Sequence, residues 1–146
     1  MAALRLAVAV CLPLTMCACG GADKTATPAV THVAGMCTAV PRPLVVAIAT
    51  RLTVAETLRR TQAVWSRTRR MWFVSAEIDG PGLTGTGDIG TWAKSGPLAP
   101  GGGAILSVDT VFAQVLSGWQ PGDRTYADVT MDDDGAQASR RCVESR

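Results

Sequence analysis

The cysteines constrain this chain more than any other feature. Five are present in 146 residues, and three of them fall within the first nineteen positions. The other two, Cys37 and Cys142, stand near the two ends of what remains. If these two join, a chain of about a hundred residues must fold so that its ends meet. The fold therefore depends on which cysteines remain in the mature protein.

The first eighteen residues predict a secretory signal peptide. Arg5 supplies an early positive charge, and the apolar run LAVAVCLPLTM follows it. A permanent membrane-spanning helix needs about 20 apolar residues, so this run is too short to span a bilayer and fits a cleaved leader. Residues 1–18 are therefore interpreted as targeting sequence, and we expect the mature chain to leave the cytoplasm.

The leader ends in the tetrapeptide Met16-Cys17-Ala18-Cys19, with a small residue before the last cysteine. This tetrapeptide resembles a bacterial lipobox, which makes Cys19 the candidate lipidation site and the first residue of the mature protein. Met16 stands where such motifs carry Leu or Val. The alternative is an ordinary signal peptidase cut after Ala18-Cys19-Gly20, which would discard Cys19 and release a soluble secreted protein.

The mature chain divides into a tether and one domain. Residues 19–43 are rich in Gly, Pro, Thr and Ala and show little apolar periodicity, which predicts a flexible tether. Residues 44–146 are enough for a single domain with a modest core. The first segment would hold the second close to the membrane without embedding it.

The surviving cysteines predict a disulfide. Cys11 and Cys17 would leave with the signal peptide and Cys19 would be acylated, so that Cys37 and Cys142 would remain as a pair. In an oxidising compartment, two thiols in so small a domain are most simply interpreted as a disulfide. The competing interpretation is a redox or metal site, which the absence of a C-x-x-C motif disfavours.

The first half of the domain predicts a helix and strands. PRPLVVAIATRL favours a helix over residues 44–52, because proline suits a first helical turn. MWFVSAEIDG alternates Trp72 and Ile78 with Ser75 and Glu77, which predicts a strand with one buried face, and DIGTWAKS predicts a second strand. TVAETLRRTQAVWSRTRR fits either a helix with a capping box or a hairpin, and we prefer the hairpin.

The second half of the domain predicts helices. A helix over residues 109–118 is expected, because Asp109 can cap its start, Gly118 can end it, and apolar residues recur at helical spacing. These residues are Phe112, Val115, Leu116 and Trp119. A last helix follows Asp132–Asp134. The fold class is therefore α+β, a small, mostly antiparallel sheet of two to four strands with an N-terminal helix and two C-terminal helices.

No motif predicts catalysis, a cofactor or a metal site. His32 is the only histidine and lies in the tether, so a Ser-His-Asp or Cys-His arrangement lacks its base. Glu77 and Asp79 can point the same way on a strand, as glycosidase carboxylates do, but an acidic edge beside a turn is commoner. The glycine-rich stretches match no phosphate-binding motif, and Asp132–Asp134 lacks the ligand spacing for calcium.

Charge is distributed unevenly along the chain. Residues 42–70 contain seven arginines against one glutamate, and residues 71–134 contain nine acidic residues against two basic ones. A basic surface suits anionic lipid, but we prefer the interpretation that the two segments neutralise each other within one fold. Nucleic acid is not an expected partner, because no stripe of interleaved basic and aromatic residues is present.

Four tryptophans in one small domain are candidate ligand-binding residues. They are Trp65, Trp72, Trp92 and Trp119. Aromatic faces suit an apolar or sugar ligand, so these side chains can line a pocket. The alternative, which we prefer, is that they fill the core.

Together with MCAC, the segments MWFVSAEIDGPG, DIGTWAKSG and MDDDGAQASRRC resemble small exported lipoproteins of actinobacterial, mycobacterium-type cell envelopes. The resemblance implies an envelope location and carries no active-site signature. We therefore expect a non-catalytic lipoprotein, anchored through Cys19 at the outer face of the cytoplasmic membrane, whose domain binds an envelope protein or lipid. The alternative is a soluble secreted carrier of a small apolar ligand in a Trp-lined cavity.

Overall fold

Antiparallel strands and three helices make up the part of the chain that this computed structural model describes, residues 35–53, 56–83 and 87–146. The strands are β1 (Thr38–Ala39), β2 (Thr57–Ser66), β3 (Met71–Asp79), β4 (Ile89–Ser95) and β5 (Ile105–Ser107). The helices are α1 (Arg42–Ala49), α2 (Ala113–Leu116) and α3 (Asp134–Glu144), with a 3-10 turn at Gly122–Arg124. The α+β class is confirmed, with five strands in place of the expected two to four.

The sheet is a meander in the order β1-β2-β3-β4-β5, with every neighbouring pair antiparallel. β1 pairs Thr38 with Ala63 of β2, and α1 begins at Arg42. Regular secondary structure is therefore present before residue 44, because the last residues of the expected tether pair with β2 and begin α1. The predicted signal peptide, Cys19 and the tether up to residue 34 lie outside the described residues.

Residues 57–79 form a hairpin, so the helix alternative for this stretch is wrong. β2 and β3 are joined by a short turn in which Arg70 has a φ of 54°. Trp65 lies opposite Trp72, and their rings meet edge to face with centroids 5.4 Å apart. Such cross-strand aromatic pairs stabilise a sheet, and they outweigh the helical spacing in the same residues.

One face of the sheet carries the larger apolar cluster. Trp72, Val74 and Ile78 of β3 point to this face together with Trp92 of β4, and all four are buried. Leu44 and Ile48 of α1 and Ala113 of α2 cover it. The apolar stripe of α1 therefore packs where the sequence spacing places it.

The other face of β3 is also buried, which corrects the expectation of a polar, solvent-facing side. Phe73 packs there against Ala136 of α3, and Ser75 and Glu77 lie beneath the same helix layer. The Ser75 hydroxyl lies 2.9 Å from Thr91 Oγ1 and 2.8 Å from Ser139 Oγ. Because hydroxyl groups on β4 and α3 satisfy it, a polar side chain can be buried without a large desolvation penalty.

Helix α3 lies close to the sheet at Gly135. A Cβ at this position would overlap Phe73 Cδ2 and lie 3.0 Å from Ser66 Cβ. Side chains at the start of the helix hold it in place: Asp134 accepts a hydrogen bond from Ser66 at 2.9 Å, and Asp133 accepts one from Arg69 at 2.5 Å. The predicted helix after the three aspartates is confirmed.

The expected helix over residues 109–118 is wrong except for one turn, α2. Asp109 caps that turn as predicted, since its carboxylate accepts hydrogen bonds from the Phe112 and Ala113 amides at 2.6 and 3.1 Å. The same carboxylate also accepts one from Thr91 at 2.7 Å, which ties it to β4. Ser117 leaves the helix to form a bridge with Leu52. Pairing at both ends thus limits the helix.

A disulfide joins Cys37 to Cys142, as predicted. The Cα atoms are 5.8 Å apart across a sequence separation of 105 residues. The bond fixes the segment before β1 to the last helix. No helix in the described residues is both long and apolar enough to cross a membrane.

Removal of the disulfide will lower the free energy of unfolding, because the unfolded chain gains conformational entropy. Closing a loop of about 100 residues is worth up to about 4.7 kcal/mol in the chain-entropy model. We expect the double variant C37S/C142S to lose most of this free energy of unfolding, measured by urea denaturation against the oxidised wild type. Equal midpoints and slopes for the two proteins would contradict the prediction.

Substitution of Gly135 by alanine tests the close contact between α3 and β3. The added methyl group must displace Phe73 or the helix, so we expect a loss of about 1–3 kcal/mol in the free energy of unfolding. Gln137→Ala, an exposed position on the same helix, is the matched control and should change stability little. A Gly135→Ala protein as stable as this control would show that the helix does not lie so close.

Candidate functional site

An open cleft of about 390 Å³ lies beside α1. Three segments meet there: the end of α1, the glycine-rich loop before β5, and the extended segment after α2. The residues that line it include Ala47, Arg51, Gly101, Gly103, Ile105 and Trp119. Both its volume and its position at a junction of segments fit a small-molecule or peptide-end site.

An arginine in contact with a tryptophan ring forms one wall of the cleft. The guanidinium carbon of Arg51 lies 4.5 Å from the centroid of the Trp119 ring, within the range of a cation–π interaction. The indole N–H of Trp119 donates a hydrogen bond to the Ile48 carbonyl at 3.1 Å, which fixes the ring against α1. The wall is therefore held in place before any ligand arrives.

Hydrogen bonds join the two segments that carry Arg51 and Trp119. Gly118 N–H donates to the Arg51 carbonyl at 2.7 Å, and Thr53 donates both its amide and its hydroxyl to the Leu116 carbonyl. Leu52 and Ser117 form an antiparallel bridge between the same two segments. The end of α1 and the segment that carries Trp119 therefore form one unit.

The glycine-rich loop forms the facing wall. Gly101 and Gly103 have φ values of 75° and 149°, which favour glycine. A Cβ on Gly103 would overlap the Ser95 carbonyl, so this residue must also be small. Ser95 and Ala104 close the loop through three hydrogen bonds. The Ser95 amide and hydroxyl donate to the Ala104 carbonyl at 3.0 and 3.5 Å, and the Ala104 amide donates to Ser95 Oγ at 2.8 Å.

A buried lysine lies beneath this loop. Lys94 on β4 is completely buried, and its ammonium group donates a hydrogen bond to the Ser95 carbonyl. Burial lowers the pKa of Lys94 from its ordinary value, because desolvation penalises the charged form. Among the described residues, no carboxylate forms an ion pair with it. The buried charge of Lys94 therefore lowers the free energy of unfolding.

The four predicted tryptophans lie in or against one apolar cluster, and they have different environments. Trp72 and Trp92 are 3% and 0% exposed and belong to the core. Trp65 packs on that core through its contact with Trp72, and Trp119 packs against it from the cleft side. Of the four, Trp119 is the one that lines this cleft. A ligand-binding role therefore fits Trp119 best.

The acidic pair considered for catalysis is neutralised by arginines. Glu77 Oε1 lies 2.7 Å from Arg60 Nη1, and Asp79 Oδ2 lies 2.6 Å from Arg59 Nη2. These residues belong to the basic and acidic segments of the sequence, as does the pair of Arg69 with an aspartate at the start of α3. Contacts of this kind are those expected if the two charged segments neutralise each other.

The aspartates before α3 have protein partners. Asp133 Oδ2 accepts a hydrogen bond from the Thr130 amide at 2.9 Å while its other oxygen pairs with Arg69. Asp134 Oδ1 accepts hydrogen bonds from Ser66 and from the Gly135 amide. In the described part of the chain, no group of three or more His, Cys, Asp or Glu residues is arranged to hold a metal ion.

The cleft residues other than Trp119 were missed in the sequence. Arg51 follows a helix as one of many arginines, and the glycines of GPLAPGGGAIL look like loop residues. The one available signal is the run of three glycines, Gly101–Gly103, directly before an apolar segment. A search of protein-family models, of curated proteins and of solved structures finds no match to this chain.

Replacement of Lys94 tests the cost of its buried charge. Since the folded state holds the proton less tightly than the unfolded state, wild-type stability should rise as the pH increases through the lowered pKa toward 10.5. We expect Lys94→Met to leave the free energy of unfolding unchanged or raise it by about 1 kcal/mol at neutral pH. As the pH rises into the alkaline range, the free energy of unfolding of the wild type should therefore increase relative to that of the variant, as measured by urea denaturation at a series of pH values.

A large loss of stability in Lys94→Met at neutral pH, with no relative alkaline gain of the wild type, would contradict this account. It would mean that the hydrogen bond from the ammonium group to the loop outweighs its desolvation.

Proposed function

We propose that this chain is a non-catalytic binding module of the cell envelope, exported and held at the outer face of the cytoplasmic membrane by a lipid on Cys19. Its domain recognises an envelope component through the cleft beside α1. The resemblance of its sequence segments to small exported lipoproteins supports the location. The cleft supports the binding role.

The arrangement of Arg51 on Trp119 is the observation that carries the proposal. An exposed cation, fixed on an aromatic ring that is itself hydrogen bonded to α1, faces an open cleft rather than a packed core. Groups held in a binding geometry by their own protein lose little entropy when a ligand binds. Such preorganisation favours recognition over a purely structural role.

The burial of Trp72 and Trp92 weighs against the alternative of a carrier with an internal cavity. Trp72 and Trp92 pack against α1 and α2 as part of the core. A carrier would use such rings to enclose its ligand. An open cleft can accept one end of a larger partner that stays mostly in solvent, which is the kind of binding expected of an interaction module.

The disulfide supports export. Disulfides persist in oxidising compartments outside the cytoplasm, and Cys37 and Cys142 are joined. The salt bridges of Glu77 and Asp79 with arginines support the non-catalytic part of the proposal, because both carboxylates already have partners within the protein.

The mass of the mature N-terminus tests the anchor. We expect diacylglycerol on Cys19 and recovery of the protein in the membrane fraction, and we expect Cys19→Ala to abolish the lipid mass and the membrane association together. A mature chain that begins after Cys19 and is recovered in the medium would support the soluble alternative instead.

Site-specific photo-crosslinking in whole cells tests the binding surface. A benzophenone side chain at Gln120, which is exposed and lines the cleft, should yield adducts of defined mass. The matched control is the same substitution at Gln137, which is exposed on α3. Equal adducts from both positions, or none from Gln120, would count against recognition through the cleft.

A further inference from the structure

We infer that the cleft beside α1 binds an oxyanion, the carboxylate or phosphate group of a small ligand that also has a short apolar body. The inference rests on the proposed binding function and names the chemistry that the cleft recognises. Three sets of described groups carry it: the Arg51 guanidinium, the backbone amides of the glycine-rich loop, and the apolar side chains between them.

Arg51 is free to bind an acceptor. Arg59, Arg60 and Arg69 each form an ion pair with a carboxylate, whereas Arg51 forms none with any described residue and donates no side-chain hydrogen bond to one. The Trp119 ring, whose centroid lies 4.5 Å from the guanidinium carbon, holds the group through a cation–π interaction. Because no described residue accepts a hydrogen bond from the guanidinium group, its N–H donors are available for an oxyanion, which they can bind in a bidentate manner.

The nearby end of α1 does not oppose an anion strongly. Free carbonyl groups at a helix C-terminus carry partial negative charge. Here the Ile48 carbonyl accepts hydrogen bonds from the Arg51 amide and the Trp119 indole, and the Ala49 carbonyl accepts one from Leu52. The Ala47 carbonyl accepts one from the Thr50 hydroxyl. Hydrogen bonding therefore offsets the partial charges nearest the cleft.

The facing wall supplies further donors. Within the described residues, the amides of Gly101 and Gly103 donate to no protein acceptor, and both residues are exposed on the cleft. Backbone amides in glycine-rich turns bind anions because no side chain prevents their approach. No Asp or Glu lines this part of the described structure, so the local charge is positive.

The apolar side chains define the rest of the ligand. Ala47 and Ile105 line the cleft together with its polar groups. A cleft of about 390 Å³ lies at the lower end of the range for small-ligand sites. It suits an anionic head group with a short aliphatic chain better than it suits a flat aromatic cofactor or a bare inorganic ion.

Matched alkyl probes test the inference. Hexanoate and hexyl phosphate carry the oxyanion, while hexanamide and hexanol keep the same body without the charge. Titration of each into the mature protein, purified with its disulfide intact, is followed through the amide resonances of Gly101 and Gly103 and the indole resonance of Trp119. We expect saturable shifts of all three with at least one anion and none with its neutral counterpart.

Variants of two exposed arginines separate the site from general attraction. Arg51→Gln should weaken anion binding about tenfold or more, because a charge-assisted hydrogen bond is lost. Arg67→Gln, the same charge change in the turn of the β2–β3 hairpin, should leave binding unchanged. Dispersed, unaltered resonances elsewhere in the spectrum establish that both variants are folded.

The outcomes distinguish the ligand sources and the two proposals. Binding of hexanoate alone assigns a carboxylate ligand, binding of hexyl phosphate alone assigns a phosphate ligand, and binding of both supports a general oxyanion site. Equal binding of the neutral probes, equal weakening by both variants, or no binding overturns the inference. In those cases, adducts from Gln120 in cells would still support recognition through the cleft.

Discussion

The fold depends on the burial of β3 on both of its faces. Every residue from Met71 to Ile78 is buried, with α1 and α2 over one side and α3 over the other. One side is almost entirely apolar, whereas the other carries Ser75 and Glu77. These polar groups can be buried only because hydroxyl groups of β4 and α3 and the side chain of Arg60 satisfy them. The position of α3 is therefore fixed by polar contacts as well as by apolar packing.

Much of this fold could be predicted from local patterns, and the errors have identifiable causes. The alternation in MWFVSAEIDG predicts β3, but it cannot show that Ser139, more than sixty residues away, will cover Ser75. The apolar residues from Phe112 to Trp119 do recur at helical spacing, yet Asp109 before them is bound to the Thr91 amide of β4, and Ser117 pairs with Leu52 near their end. Tertiary pairing overrides local propensity at both ends.

The candidate site was harder to predict, because three distant segments build it. Arg51 becomes distinctive only when other arginines of the basic segment are seen to pair with Asp79, Glu77 and Asp133. Uneven charge in the sequence indicates neutralisation, but it does not say which cation is left over. Trp119 was predicted as one of four equivalent rings, and the structure distinguishes it by its place at the cleft.

Native-state hydrogen exchange tests the central claim most directly, because it compares the doubly covered strand with the open cleft in one experiment. We expect the amides of Phe73 to Ala76 to exchange only through global unfolding, with a protection free energy equal to the free energy of unfolding. Gly101 and Gly103 should exchange close to the rate of an unprotected amide. Rapid exchange in β3, or strong protection of these two glycines, would contradict it.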